Sequence, residues 1–325
     1  MFKLVKFAIA TMIIAACSMS HAWEPKKPII AYVGYAPGSG NELSFRGVAA
    51  EVERQTGAKF VVVNIAGVDG LLSVNKSHKE AADGYSLNAT GGLITYTLNE
   101  AFNPEAMTWT VNDLYPIIGT ANSPQCIIAH VSSPINSVTD LVKQFATPDR
   151  NINVGLGSYA QYMLYGMIMS NGNGNSSKVK SIMYKGPAQA LQDVAAGNVE
   201  IGMVPLSVAA QMINGGKVKL IGVSGDRKSV QYPNTQVVKD VLPGVVVLAM
   251  WNITLPKDTP KEIVDWYVKS FTSALDSDNV KKYFHDNYMT RSNALTPEAQ
   301  KKEIAEIRAK MLPVALKLKR ELGAN

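Results

Sequence analysis

From Trp23 onward, short β-branched runs alternate with segments long enough for helices, and this alternation limits the chain to layered α/β architectures with largely parallel sheets. Strands are expected at 29–33, 60–63, 86–89, 115–118, 126–129, 153–155, 181–183, 201–204, 220–223 and 245–248. Helices are expected at 42–55, 70–80, 138–145, 160–170, 187–196 and 206–214. A chain of 325 residues has room for about two domains.

The last third is helical. Thr259-Pro260-Lys261-Glu262 reads as a capping box with proline at the first helical position, and Thr296-Pro297-Glu298 repeats the cap and the proline. Ile263, Tyr267, Phe271 and Leu275 follow the first start at helical spacing; Ile304, Ile307, Met311 and Val314 follow the second. Pro313 predicts a kink or a division near Leu312. The strands are finished by then, so these helices are expected to pack back onto the first domain. The chain then crosses between domains twice, with domain 1 formed by 23–125 plus 249–325 and domain 2 by 126–248.

The N-terminus sets the compartment. Lys3 and Lys6 precede an apolar stretch at 7–16, and Ser20-His21-Ala22 offers small residues for cleavage, which together predict a signal peptide over 1–22 and a soluble, exported, periplasmic protein. The apolar stretch is shorter than the ~20 residues a membrane helix needs. Ile14-Ala15-Ala16-Cys17 has the form of a lipobox, and cleavage there would leave a lipid anchor at Cys17; the short tether this would give favours cleavage after Ala22. That cleavage leaves Cys126 alone, a buried thiol with no disulfide partner. It also takes the net charge from +6 to +4, which suits anionic ligands; no basic cluster with interleaved aromatics points to nucleic acid.

No catalytic set emerges. His78, His130 and His285 lie apart, with no second His or Cys at ligand spacing, so no metal is expected. A Gly-x-Ser-x-Gly elbow and a P-loop are absent. Gly155-Leu156-Gly157-Ser158-Tyr159-Ala160 matches a dinucleotide pattern, but the acidic residue expected about 20 positions on is missing, and no cofactor is expected.

What remains is four loops of small residues, each after a strand: Gly34 to Asn41, Ala66 to Gly70, Thr90-Gly91-Gly92, and Gly157 to Gln161. Loops at the carboxyl ends of strands converge on the crevice where open α/β sheets bind ligands, and a helix start presents unpaired N–H groups to an anion. Ser39 or Asn41 is the expected cap of the first helix. Tyr35, Tyr159 and Tyr184 either wall such a cleft or pack in the core; Lys185 either meets an anion or stands in solvent. Asp69 in the cleft would repel a carboxylate or receive an ammonium.

The order of motifs resembles the solute-binding receptors of tripartite tricarboxylate transporters, also called Bug receptors. Pro37-Gly38-Ser39-Gly40-Asn41-Glu42 with Arg46 is similar to that family's first loop, and 63–70 to its second glycine-rich segment. Ala82-Asp83-Gly84-Tyr85 and Tyr184-Lys185-Gly186, followed by Gly197-Asn198-Val199-Glu200, are also similar. The likeness runs from about Pro28 to Leu322. Glu42 for the usual Asp, Asp69 for Gly, Tyr162 for a common His and Val204 for Asp depart from the pattern.

The resemblance implies a two-domain periplasmic binding protein of the type II, Venus-flytrap class, with a ligand cleft between domains. It implies a monomer that captures a small carboxylate (a di- or tricarboxylate, an aromatic carboxylate or an amino acid) and delivers it to the membrane permease of a transporter. The ligand-binding residues expected are Tyr35, Gly38, Ser39, Gly40, Asn41, Gly67, Asp69, Thr90, Gly91, Gly157, Ser158, Tyr159, Ala160, Gln161, Tyr184 and Lys185. A sensing subunit for a signalling kinase is the second reading, and a periplasmic enzyme the third.

Overall fold

A computed structural model of the chain describes residues 23–322 apart from 91, 92, 111, 112, 114 and 227. The signal peptide, Cys17 and Gly91 therefore lie outside the described residues. The strands are β1 (Ile29–Val33), β2 (Phe60–Asn64), β3 (Ser86–Asn88), β4 (Tyr115–His130), β5 (Ile152–Leu156), β6 (Val179–Met183), β7 (Ile201–Pro205), β8 (Val218–Ser224), β9 (Leu248–Leu255) and β10 (Thr290–Arg291). The helices are α1 (Gly40–Thr56), α2 (Leu71–Ser77), α3 (Leu93–Phe102), α4 (Val138–Ala146), α5 (Tyr159–Asn171), α6 (Pro187–Ala195), α7 (Leu206–Asn214), α8 (Val238–Val241), α9 (Lys261–Asp276), α10 (Asp278–Asp286) and α11 (Pro297–Leu322).

The strands form one sheet in the order β2-β1-β3-β9-β4-β7-β5-β6, with β8 and β10 also on β4. Its outer parts are parallel, as the alternation predicts: β1 pairs in parallel with β2 and β3, and β5 with β6 and β7. The middle is antiparallel. Residues 115–124 of β4 pair with β9, and 125–130 pair with β7 and β8, so one strand changes partners between Pro124 and Gln125.

That long strand replaces the two short ones expected at 115–118 and 126–129. The intervening Gly119-Thr120-Ala121-Asn122-Ser123-Pro124 reads as a turn, because its residues favour turns when the backbone is solvated. Here the backbone is not left to solvent: β10 pairs with Ala121 and Asn122, and the Ser292 N–H donates to the Thr120 carbonyl at 3.1 Å. β9 likewise begins where the expected strand at 245–248 would end. Its Asn252 and Thr254 interrupt the apolar pattern, yet both are buried. Helix α3 went unpredicted because Ile94, Thr95 and Thr97 favour extended backbone.

One large cluster joins β1, α1, β3, the first half of β4, β9, α9 and α10, with Phe45, Tyr267 and Phe271 fully buried. Phe45 and Phe60 both pack on Phe271, at 6.3 and 5.8 Å between ring centres. The Ala82-Asp83-Gly84-Tyr85 turn is tied to this cluster. Gly84 takes φ +83°, the Asp83 carboxylate accepts from the Tyr85 N–H, and its Gly84 carbonyl accepts from the Tyr267 hydroxyl at 2.7 Å.

Two late features differ from expectation. The Thr259 hydroxyl donates to the Pro256 carbonyl instead of capping α9, which starts at Lys261 with Pro260 at the N-cap position, not the first helical one, and has no side-chain cap. Thr296 does cap, accepting from the Ala299 N–H, and α11 continues through Pro313 as one helix. Its Ala315 and Leu318 are buried with α5, β5, β7 and Phe102, so α11 reaches beyond the first cluster onto the second half of the sheet.

Phe271→Ala removes the ring on which Phe45 and Phe60 meet. It should cost about 3–5 kcal/mol of stability, read as a lower urea midpoint at unchanged slope.

Candidate functional site

Two helix starts on opposite halves of the sheet line one small cavity, and they are built alike. In the first, Ser39 is the N-cap of α1: its Oγ accepts from the Glu42 N–H at 3.4 Å, and the Glu42 carboxylate reaches back to accept from the Gly38 N–H at 2.9 Å. In the second, Ser158 caps α5: its Oγ accepts from the Gln161 N–H at 3.4 Å, and Gln161 Oε1 accepts from the Gly157 N–H at 2.5 Å. These are reciprocal capping boxes of the form Gly-Ser-x-x-Glu and Gly-Ser-x-x-Gln, with the return bond made one residue before the cap. The repeated spacing was present in the sequence and is the signal that would have paired the two loops.

Several glycines are demanded by close approach. A Cβ on Gly40 would lie 2.4 Å from Trp251 Cζ2, and one on Gly157 would lie 2.2 Å from the Pro187 nitrogen. Gly38 takes φ +81°, which turns the chain into the cap. Glu42 is buried at this turn and held from outside by Arg46, whose Nε donates to it at 2.7 Å. Its negative charge is therefore spent on the loop's own architecture.

The cavity between the starts is lined by Tyr35, Gly40, Asn41, Thr95, Gln125, Ser158, Ala160, Gln161, Pro187, Pro205 and 248–251, and measures about 30 Å³. By the same kind of measure one water takes about 10–15 Å³. A small organic acid enters only when the walls part. Thr95, Gln125, Pro187, Pro205 and 248–251 were not expected from sequence: Gln125 falls between the strands expected at 115–118 and 126–129, and 249–251 beyond the strand expected at 245–248.

Two unsatisfied polar atoms belong to this lining. Asn41 Nδ2, a donor, and Gln125 Oε1, an acceptor, are buried without a hydrogen-bond partner among the described residues. Buried polar atoms cost free energy unless paired, so both mark places where a ligand's own polar groups would be favoured.

Beside the cavity lies Asp69, at φ +49° in the loop after β2. Its Oδ1 accepts from the Tyr35 hydroxyl at 2.7 Å, and Oδ2 is buried without a partner among the described residues. Burial pushes this carboxyl up to about 7, against the downward pull of the Tyr35 hydroxyl and the Tyr159 N–H. Burial likewise raises the Tyr35 phenol, whose single proton is already committed to Asp69.

The remaining expected residues lie elsewhere. Gly67 takes φ +145° against Leu72, and the buried Thr90 hydroxyl pairs with Ser73 at 2.7 Å. The Tyr184 hydroxyl donates to Asp193, and Lys185 is exposed. Tyr159 stacks on Phe102 with 4.8 Å between ring centres and accepts from Asn103 Nδ2 at 2.7 Å, joining α5 to the end of α3. Among the described residues no three His, Cys, Asp or Glu side chains gather where a metal could sit, and no helix is long and apolar enough to cross a membrane.

Residues 44–315 match the family model for the tripartite tricarboxylate transporter family receptor. Protein BugT of Bordetella pertussis is 23% identical over 280 residues, covering 85% of this chain and 84% of its own. The solved periplasmic binding protein BugD superposes with a TM-score of 0.82 at 21% identity, over 93% of this chain and 99% of its own. MatC from Rhodopseudomonas palustris, solved with bound malate, superposes with a TM-score of 0.82 at 20% identity, over 90% of this chain and all of its own. The two solved relatives show that the chain has the fold of periplasmic binding proteins.

An Asp that titrates near 7 in the folded chain, against 3.8 ordinarily, keeps its proton after the unfolded chain has lost it. Stability should then fall as pH rises from about 4 to about 7. Asp69→Asn, which tolerates the left-handed backbone, should flatten that slope. It should raise Tm at pH 8 by roughly 2–4 °C, the shift expected of about 1 kcal/mol, and leave Tm at pH 4 unchanged. Thermal unfolding across this range checks it.

Proposed function

The chain belongs to the tripartite tricarboxylate transporter receptor family, and from that membership we propose that it captures a small carboxylate in the periplasm and hands it to a membrane permease. The observation that carries this reading is the cavity closed between two capped helix starts, with the unpaired donor Asn41 Nδ2 on its wall. The N–H groups of Gly40 and Asn41 open α1 and have no partner within the helix. Together with the positive end of the helix dipole, they suit an anion without a permanent countercharge. A neutral cradle avoids the desolvation cost of a buried ion pair, which favours release as well as capture. The malate bound to MatC is a small carboxylate of this kind.

We read the molecule as two lobes, 23–125 with 249–325 and 126–248, joined where β4 changes partners, with the end of α11 docked on the second lobe. The contacts of Tyr159 with Phe102 and Asn103 hold the lobes together in this closed form. A ligand shifts the balance between open and closed only by binding the closed form better. Export by the N-terminal signal and action as a receptor rather than an enzyme belong to the same reading. A role in presenting ligand to a signalling kinase would use the same cleft, and no observation favours it.

Thermal-shift and calorimetric screening of the mature chain against mono-, di- and tricarboxylates and amino acids tests the proposal. At least one acid should raise Tm; if none does, the receptor reading fails. Asn41→Asp keeps the shape, suits the first turn of a helix and replaces the donor by a negative charge. It should weaken that acid at least about 30-fold, the loss expected for a hydrogen bond to a charged group, with Tm unchanged.

A further inference from the structure

One tyrosine stands where the backbone favours glycine. Tyr288 follows α10 and takes φ +58°. The turn is a Schellman ending: the Met289 N–H donates to the Phe284 carbonyl at 2.8 Å, and the Tyr288 N–H to the His285 carbonyl at 3.2 Å. Glycine is the usual residue at this left-handed position, because a Cβ there crowds the backbone. Five described residues other than glycine have positive φ, and three of them are Asn or Asp, which tolerate it. The backbone does not account for a tyrosine here, so its ring has to.

That ring reaches the other lobe. It stacks on Tyr232 with 5.5 Å between ring centres and 14° between planes, and it packs against the buried cluster of the second lobe that includes Cys126, Ile128 and Leu206. Asn214, the last residue of α7, joins the two hydroxyls: its Oδ1 accepts from Tyr232 at 2.6 Å, and its Nδ2 donates to Tyr288 at 2.8 Å. Alongside, Gln231 Nε2 donates to the His285 carbonyl at 3.1 Å. Next to the stack a groove of about 630 Å³ parts the lobes, with Leu206 and Val230 on one side and Phe284 and Met289 on the other.

We propose that Tyr288 is a positioning residue for capture: with Tyr232 and Asn214 it forms a latch across the lobe boundary that favours the closed form whichever acid is held. This rests on the two-lobe receptor reading. None of the three residues lines the cavity, so the latch has no contact by which to tell one ligand from another. A near-parallel stack with both hydroxyls on one amide fixes the separation and the angle of the lobes together, and parting them takes both bonds out of range. Ligand affinity scales with the fraction of the chain that is closed, so loss of the latch weakens every ligand by one factor.

Calorimetry of the mature chain with malate, adipate and whichever further acid of the panel raises Tm reads that factor. Tyr288→Gly suits the φ of +58° and removes the ring. It should weaken each acid that binds by the same factor, about three- to tenfold, which is what an aromatic pair is worth. Tyr232→Ala, at a half-buried site, should do the same and covers the case where the glycine variant is unstable. The double variant should lose no more than either single one, because both remove one contact. A ring with a merely structural role would move Tm and leave the affinities alone. Unchanged affinity in the folded variants, losses that differ between acids, or losses that add in the double variant overturn the inference and leave the receptor reading standing. If no acid of the panel binds, the receptor reading falls, and the closure on which this inference rests falls with it.

Discussion

The first N–H groups of a helix have no partner inside it, and burying a helix start obliges the chain to supply one. Both helix starts at the cleft meet this demand with a serine and a returning side chain, Ser39 with Glu42 and Ser158 with Gln161. The glycines follow from it. Gly38 supplies the positive φ that brings its N–H under the carboxylate, while Gly40 and Gly157 let Trp251 and Pro187 close over the turns. At both starts the glycine before the serine is thus committed within the loop, its N–H spent on the returning side chain.

The choice between Glu42 and Gln161 separates the two ends. Glu42 carries charge, and Arg46 on the outer side of α1 balances it. Gln161 is neutral and fully enclosed, so the second start has no such counterion; the buried acid beside the cavity is Asp69, held by the Tyr35 hydroxyl. A protonated or partly protonated carboxyl is what such a site tolerates, since burial disfavours the charged form. Tyr35 then becomes a support for Asp69, and its phenol is raised by the same burial.

Where local periodicity decides the structure, the sequence is readable. β1, β7 and the parallel strands around β5 coincide closely with their apolar runs, and α1 and α4 begin at serines that cap them. Where tertiary pairing overrides local preference, it is not. The middle of β4 is polar and contains Pro124; α3 is rich in β-branched residues; Asn252 and Thr254 sit in a buried strand. The candidate site divides along the same line. The Gly-Ser steps at 38–39 and 157–158 are visible as motifs, whereas Gln125 acquires meaning only when β4 carries it between two lobes. Tyr184 shows the reverse: a residue prominent in a motif whose hydroxyl is committed to Asp193 on the neighbouring helix.

β4 also sets the mechanics. Because a single strand serves both halves of the sheet, the halves cannot slide past one another without shearing its ladders with β9 on one side and β7 and β8 on the other. Rotation about the change of partners is the soft coordinate that remains. Gln125, one residue past that change, pairs with Pro205 and Ser224, so its place in the cavity wall is set by the strand both halves share.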